Sequence, residues 1–489
     1  MTQDMLPFQY EVEEDRTGMT GLGGLPVYLE LMHRMGLKEL IGDNLHNRGR
    51  QGYTDAQIVT ALMFLNLAGG ESVEDVRVLE ADGGFCRLLQ KAEVFRKTRK
   101  QRKEEEKRFR KQGRSNVPSP SSIFRYLDGF DEKQERQPGA WIPELKDLGG
   151  FRAINKGMIS FLQKNNPKNT ATLDMDATLV ETLKSDALYS YKGYKAYQPL
   201  NVFWHEHNAV LHTEFRDGNV PASYDNFRML KESISMLPEG VEEVYFRSDS
   251  AAYQHDIMKF CIKNKIGFAI AAEVSKGFKE DALLSEWSPF YKEIDGKFYK
   301  TDQEYALVNY IPDAPRFKKK DEPYRYIAIR EPLLEQGLLA DFESVEYPFP
   351  VMDMDNRRYK ITAIVTNLDW DTQKVINWFR LRCGKCEEAH SVMKSDLAGG
   401  RLPSDKFGAN AAWWWIMILS LNLNSIMKTL VLGKLWVSKR MKAIRFSLIN
   451  IPGRIISHAR SLIIRISGSH PASELLLRAR ETISLLCPA

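Results

Sequence analysis

At 489 residues the chain is too long for one small domain and suggests roughly two to four. Hydrophobic residues at 43% and charged residues at 27% are the balance of an ordinary globular protein with a sizeable core, and the net charge of +5 is mild enough that its distribution matters more than its total. Five cysteines (Cys86, Cys261, Cys383, Cys386 and Cys487) exclude a disulfide framework and point to a reducing compartment, and the acidic opening MTQDMLPFQYEVEEDR has no apolar segment of a secretory signal.

Residues 1–165 read as a helical N-terminal region suited to DNA binding. In YTDAQIVTALMFLNLAGG the apolar side chains recur at helical spacing, with Thr54 as cap and Gly69-Gly70 as stop, and GESVEDVRVLEADGGFCRLL repeats the pattern. From Arg96 to Arg114 there are 11 Lys/Arg and three Glu, too polar to bury: a solvated helix face or an arm that grips phosphates. PSPSSIFRYLDGF follows, where Ser119 or Ser121 caps a short helix carrying Arg125, a small candidate DNA-binding unit.

From about Asn169 short apolar runs alternate with turns. TATLDMDATLV is a strand, QPLNVFWHEHNAVLHTEF two strands around a turn at Glu206–Asn208, with His205 and His207 alternating as structural residues. ASYDNFRMLKESISML is a helix, EEVYFRSDS a strand, AAYQHDIMKFCIKNK a helix and IGFAIAAEV a strand. This β-β-β-α-β-α-β order over 166–278 is that of the first part of an RNase H-like core. Residues 279–370 carry further strand-like runs and read as a β-rich insertion. One long helix, DTQKVINWFRLRCGKCEEAHSVMKSDL, then completes the core over 371–430, followed by the buried helix NAAWWWIMILSLNLNSIM. Its apolar run of 17 residues, 411–427, is shorter than the about 20 of a bilayer span, so it reads as a core helix and its Trp413–Trp415 run as packing. From Lys428 onward 11 Lys/Arg face two Glu, so 431–489 reads as a basic helical region.

The chemistry gathers on carboxylates. Asp174 and Asp176 lie two apart on a strand, hence on one face, with Leu173 and Met175 on the other. A carboxylate facing out of an apolar central strand is costly unless a positive charge compensates it, and a metal ion is a usual one. Asp249 ends the strand VYFRSD, where α/β sheets gather their ligand groups, and in an RNase H-like sheet that strand neighbours the Asp176 strand. Glu387 and Lys394 are two turns apart on the late helix and share a face with His390. Carboxylates from three distant segments suit Mg²⁺, which prefers hard oxygen ligands and phosphates. Cys383 and Cys386 form only half of a zinc pattern.

At LDMDAT, FRSDSAAY and RCGKCEEAHSVMKSDLAGGRLPSDKFGANAAWWW the sequence resembles the DDE transposases of bacterial insertion sequences, in particular the IS1380 group of the IS4-like class. That class carries Tyr, two residues, Arg, three residues, Glu, six residues, Lys. Glu387 and Lys394 fit, whereas the Arg position holds Cys383, the Tyr position holds Arg380, and Arg382 is one residue off. The resemblance implies a metal-binding triad of Asp176, Asp249 and Glu387, with Asp174 as the alternative first Asp, and Mg²⁺ (Mn²⁺ able to substitute) as cofactor. It implies cut-and-paste transposition: water frees a 3′-hydroxyl at the element end, which attacks a second phosphodiester. Lys394, with Arg380 or Arg382, would contact phosphate near the cleaved bond. Lys192 and Lys195 mark a basic turn where DNA could pass, and Trp287, in the insertion, reads first as a small-cluster core residue and second as a candidate for stacking on a flipped base. The partners implied are double-stranded DNA, terminal inverted repeats and target DNA, bound by a homodimer in a cytoplasmic, nucleoid-associated setting. A domesticated protein that binds without cutting, and an RNase H-like nuclease without strand transfer, are the alternatives.

Overall fold

The computed structural model describes residues 18–49, 51–95, 97–107, 116–132, 134, 139–143, 145–294, 296–312, 324–333, 347–355, 357–458 and 461–488. The second half of the basic stretch (108–115) and two parts of the β-rich stretch (313–323 and 334–346) therefore lie outside the described residues.

The two-residue strand β1 (Met19–Thr20) precedes a helical region of α1 (Pro26–Arg34), α2 (Leu37–Asn44), α3 (Asp55–Ala68), α4 (Val76–Ala81), α5 (Gly83–Glu93), α6 (Arg99–Glu106), α7 (Pro120–Leu127) and α8 (Gly149–Asn165). Thr54 caps α3 in a reciprocal box with Gln57, and Gly69 ends it at φ +103°, a left-handed conformation that favours glycine. In α6 every side chain from Arg99 to Glu104 is exposed, so this half of the basic stretch is a solvated helix. Ser119 stands at the cap position of α7, but its side chain makes no cap hydrogen bond.

Next come β2 (Thr170–Ala177), three short strands β3 (Val180–Glu181), β4 (Leu188–Tyr189) and β5 (Lys195–Tyr197), then β6 (Leu200–Trp204), β7 (Ala209–Glu214), α9 (Asn226–Ser235), β8 (Glu243–Ser248), α10 (His255–Lys263) and β9 (Gly267–Ala272). The expected element order holds, with the small sheet β3-β5-β4 added to it. His205–His207 is a one-turn 3-10 segment between β6 and β7, not part of a strand. After α11 (Lys276–Leu283) follow β10 (Ser288–Ile294), β11 (Lys297–Val308), β12 (Arg325–Pro332), β13 (Val351–Met354) and β14 (Arg357–Thr366).

These strands form one mixed sheet of ten, in the order β10-β11-β12-β14-β9-β8-β2-β6-β7, with β13 also on β14. β2 runs parallel to β8 and β8 parallel to β9, while β6 is antiparallel to β2. β14 pairs antiparallel with β9 from Ala363↔Ala272 to Thr366↔Ala269. The strands expected to form an insertion thus continue the central sheet, because the end of β14, Ala363–Thr366, is buried and needs a partner for its backbone.

The expected single helix after the sheet is broken: α12 (Thr372–Arg380), a turn at Leu381–Gly384, α13 (Lys385–Ser391), then a π-helical turn at Val392–Asp396. Gly384 has φ +83°, which few other residues adopt. α14 (Phe407–Ile426) is buried along its whole length. With its π-helical extension to Leu432 it is long and apolar enough by composition to cross a membrane, yet 83% of that window is buried inside the protein. The C-terminal region is not purely helical: beside α15 (Lys434–Val437), α16 (Met441–Ile444) and α17 (Ser473–Leu485) it forms the hairpin β15 (Gly453–His458) and β16 (Ser461–Ile466), to which β1 adds a third strand.

One core runs from Leu25 through α3, α8, the sheet and α14 to Ile483, and a smaller one packs α12 against β12, β14 and Phe290. Asn422, buried in α14, donates to Asn155 Oδ1 (2.7 Å) and Val210 O (2.8 Å) and accepts from Val210 N (2.8 Å), tying α14 to α8 and β7. Asn422→Ala leaves these groups unsatisfied, and we expect it to lower unfolding free energy by about 2–4 kcal/mol in urea titrations, while exposed Leu477→Ala stays within about 0.5 kcal/mol. Buried His207 donates through Nε2 to Gln163 Oε1 at 2.8 Å, and burial pushes its pKa down to about 4. The unfolded state therefore binds the proton first as pH falls, so stability present above about pH 6.5 should decline toward pH 4. Melting curves across that range should show a shallower decline for His207→Phe.

Candidate active site

β2 reads TLDMDA with period two: Leu173 and Met175 enter the main core, and Asp174 and Asp176 point to the opposite face. The parallel register Asp174↔Arg247 and Met175↔Ser248 brings the end of β8 beside Asp176.

The two aspartates meet different surroundings. Asp174, 2% exposed, receives a two-pronged ion pair from fully buried Arg247, Nε to Oδ1 at 2.6 Å and Nη2 to Oδ2 at 2.8 Å. Burial works to raise its pKa, but contacts with His205 and Arg247 outweigh it and hold the carboxyl below its usual value. Arg247 also donates to the Trp378 carbonyl in the last turn of α12 and stacks 4.8 Å from that indole, so it fixes the helix end to the sheet.

Asp176 has looser company. Arg382 Nη1 lies 3.7 Å from Oδ1 and His390 Nδ1 lies 3.7 Å from Oδ2. Burial pushes its pKa up to about 6; Arg382 opposes this, while the charges of Asp249 and Glu387 add to it. Both carboxylates, distant in sequence, therefore act on Asp176. Asp249 is the cap of the turn Ser250–Ala252 rather than a strand residue: Oδ1 accepts from Ala251 N at 3.1 Å. Glu387 is exposed in the first turn of α13. Burial and the nearby charge of Arg382 and Lys394 push His390 down to about 4, so it is neutral at physiological pH.

The basic residues divide. Lys394 Nζ donates to Leu179 O at 3.3 Å, just past the end of β2, and burial followed by the charge of Lys192 lowers its pKa, so Lys192 and Lys394 share one surface. Lys394 lies within the π-helical turn Val392–Asp396, which alters the expected two-turn spacing from Glu387. Lys195 donates to Ser185 O at 3.0 Å within the loop joining β3 and β4. Arg380 lies over the Phe290 ring at 4.5 Å, and its electrostatic neighbours are Cys383 and Glu331, not the site carboxylates. Arg125 bonds within its own helix, to Ser121 O at 3.1 Å, beside Arg48. Trp287 is packed partly against the core under Arg330, whose guanidinium is 4.3 Å from the ring.

Among the described residues, no three His, Cys, Asp or Glu side chains are already gathered in metal-binding geometry. Cys383 is exposed and Cys386 buried, so the two thiols do not share an environment. By residue type, carboxylates from separate elements would suit a hard divalent cation, and one of them, Asp176, is raised mainly by burial, with the charges of Asp249 and Glu387 adding to it.

A family model described as "Transposase DDE domain group 1" matches residues 8–312 and 350–488. The chain belongs to this DDE transposase family. No curated protein matches it. Among solved structures, the cryo-EM structure of the piggyBac transposase synaptic complex with hairpin DNA is similar over 95% of this chain and 85% of that one, at 11% identity and a TM-score of 0.42.

In this DDE family member the sequence reading left Arg247 unnoticed. Its signal was there: an arginine inside an otherwise strand-like run, VYFRSD, must find a buried anion. Arg247→Met should cost about 3–5 kcal/mol by urea denaturation, because Asp174 is left as an unpaired buried charge. The double variant Asp174→Leu/Arg247→Met should recover most of that loss; a single-variant loss below about 1 kcal/mol would contradict this description of the pair.

Proposed function

We propose that the chain is the cut-and-paste transposase of a bacterial insertion sequence of the IS1380 group, with β7-β6-β2-β8-β9 as an RNase H-like core. What supports the reading is the DDE family match, together with Asp176 at the end of β2, whose pKa burial raises and the charges of Asp249 and Glu387 raise further. Asp176, rather than Asp174, is the first Asp of the triad, since Arg247 already neutralises Asp174. Residues 1–165 with the basic stretch 96–114 and the region 431–489 would bind DNA around the core (166–278 and 371–430), with 279–370 as an insertion that extends the sheet.

Asp176, Asp249 and Glu387 would hold Mg²⁺, or Mn²⁺ in its place, which when bound activates the attacking oxygen and stabilises the leaving one. The chain's own residues do the rest. Lys394 and Lys192 present positive charge to the phosphate backbone beside the carboxylates, and Arg382 stands close enough to serve a phosphate at the reacting bond. Lys195 and Arg125 would add contacts that position the duplex without reading its sequence. His390, kept neutral, packs beside Asp176 without adding a competing charge. The substrates are double-stranded DNA bearing the terminal inverted repeats and then target DNA; pairing two ends calls for a homodimer on DNA, and the setting is the bacterial cytoplasm.

The test is Mg²⁺-dependent cleavage of a duplex carrying the element's own end. Wild type should cut and transfer the strand, while Asp249→Asn and Glu387→Gln should bind the duplex but cut more than about a hundredfold more slowly, a loss already typical when residues that merely support metal ligands are changed. Undiminished cutting by either variant would refute the triad. Binding without cutting by wild type would favour a domesticated DNA-binding protein, and cutting without strand transfer a nuclease.

A further inference from the structure

Resting on the triad proposed above, a second role emerges for Arg382. We propose that its guanidinium is the resident counter-ion of Asp176 and Asp249, competes with the divalent cation for them, and swings to a DNA phosphate once the cation binds.

Four observations support this. First, the contact is loose: 3.7 Å from Nη1 to Asp176 Oδ1, against 2.6 and 2.8 Å for Arg247 on Asp174. Charge-assisted hydrogen bonds run at about 2.7–2.9 Å, so Arg382 supplies charge without the geometry of a permanent pair. Second, Arg382 Nε is buried without a hydrogen-bond partner among the described residues, and a donor left in that state is expected to find an acceptor in another state of the site. Third, Arg382 lies in the non-helical turn between α12 and α13, two residues before Gly384 at φ +83°, where the backbone is not held by a continuous helical ladder. Fourth, its charge acts on Asp249 as well as on Asp176. Arg247, by contrast, is engaged by Asp174 through two short hydrogen bonds.

The physical consequence is competition. A divalent cation approaches a carboxylate oxygen to about 2.0–2.2 Å, which a guanidinium on the same oxygen opposes by charge and by volume. The guanidinium therefore balances Asp176 before the cation arrives, at the expense of affinity for the cation. The released guanidinium carries a planar fork of donors suited to a phosphate.

The test uses the full chain, stripped of metal by chelation, and Mn²⁺ alone as probe, with free Mn²⁺ counted by electron paramagnetic resonance and no DNA present. Arg382→Gln should bind Mn²⁺ about tenfold more tightly than wild type, the scale of one removed charge beside a partly screened site. Arg382→Lys, which keeps the charge, should stay within about threefold of wild type. In matched duplex-binding titrations with Mn²⁺, Arg382→Gln should show a salt dependence shallower by about one phosphate contact. Circular dichroism melts confirm that each variant is folded. If Mn²⁺ binding is lost in Asp249→Asn but Arg382→Gln binds no more tightly than wild type, the counter-ion role is overturned while the triad stands. If Mn²⁺ binding is indifferent to both Asp176→Asn and Asp249→Asn, the triad itself is overturned, and this inference with it.

Discussion

A carboxylate on the inner face of a central strand cannot stay unbalanced, and β2 carries two. Asp174 and Asp176 differ by two residues and share a face, yet they receive opposite treatment. Asp174 is closed off by Arg247 in a short two-pronged pair with both side chains almost wholly buried. Asp176 is left with contacts near 3.7 Å and two like-charged neighbours. A pair such as Asp174–Arg247 adds little net stability, because the desolvation of two charges offsets their attraction; what it provides is a fixed point. Arg247 also holds the last turn of α12 through Trp378, so the same guanidinium sets the two strands that carry the aspartates and the place where the helix chain breaks. Glu387 lies beyond that break, in the first turn of α13.

The elements beyond the break are braced from a distance. Asp396, at the end of the π-helical turn, is fully buried and pairs with Arg440 at 3.0 Å. Arg445 donates to the Asp396 carbonyl and also to the carbonyls of Asn66 (2.6 Å) and Leu67 (2.9 Å) at the end of α3. Tyr28 donates to Asn424 in α14 at 2.9 Å, and Arg34 reaches the carbonyls of Ser484, in the last turn of α17, and Leu486, just past it. The first and last parts of the chain therefore share one core with the sheet, and the Glu387 element lies between them.

Much of this was legible in the sequence, and the failures have physical causes. The strands β2, β6, β7, β8 and β9 and the helices between them followed from alternation and periodicity, because each buries one face and its pattern records that burial. Asp249 was expected at the end of the strand, but its cap geometry was not legible, since a strand end and the turn after it look alike in FRSDS. The long helix over 371–397 was misread because its apolar spacing continues across residues 381–384, and only the φ of Gly384 and the hold of Arg247 on Trp378 break it. The β-rich stretch was readable as strands, yet the pairing of β14 with β9 is a long-range choice that no local pattern encodes. The hairpin β15–β16 hid in a run whose basic residues suggested a helical tail; its alternation IISH and LIIRI is the signal that was passed over.

The central claim is that Asp176, Asp249 and Glu387 serve one metal site while Asp174 does not. Anomalous diffraction from crystals soaked in Mn²⁺ tests it most directly. The account predicts a manganese peak about 2.0–2.3 Å from oxygens of Asp176 and Asp249, with Arg382 displaced from Asp176 and the Asp174–Arg247 pair undisturbed. A peak bound to Asp174 in place of Arg247, or none near Asp176 at saturating Mn²⁺, would contradict it.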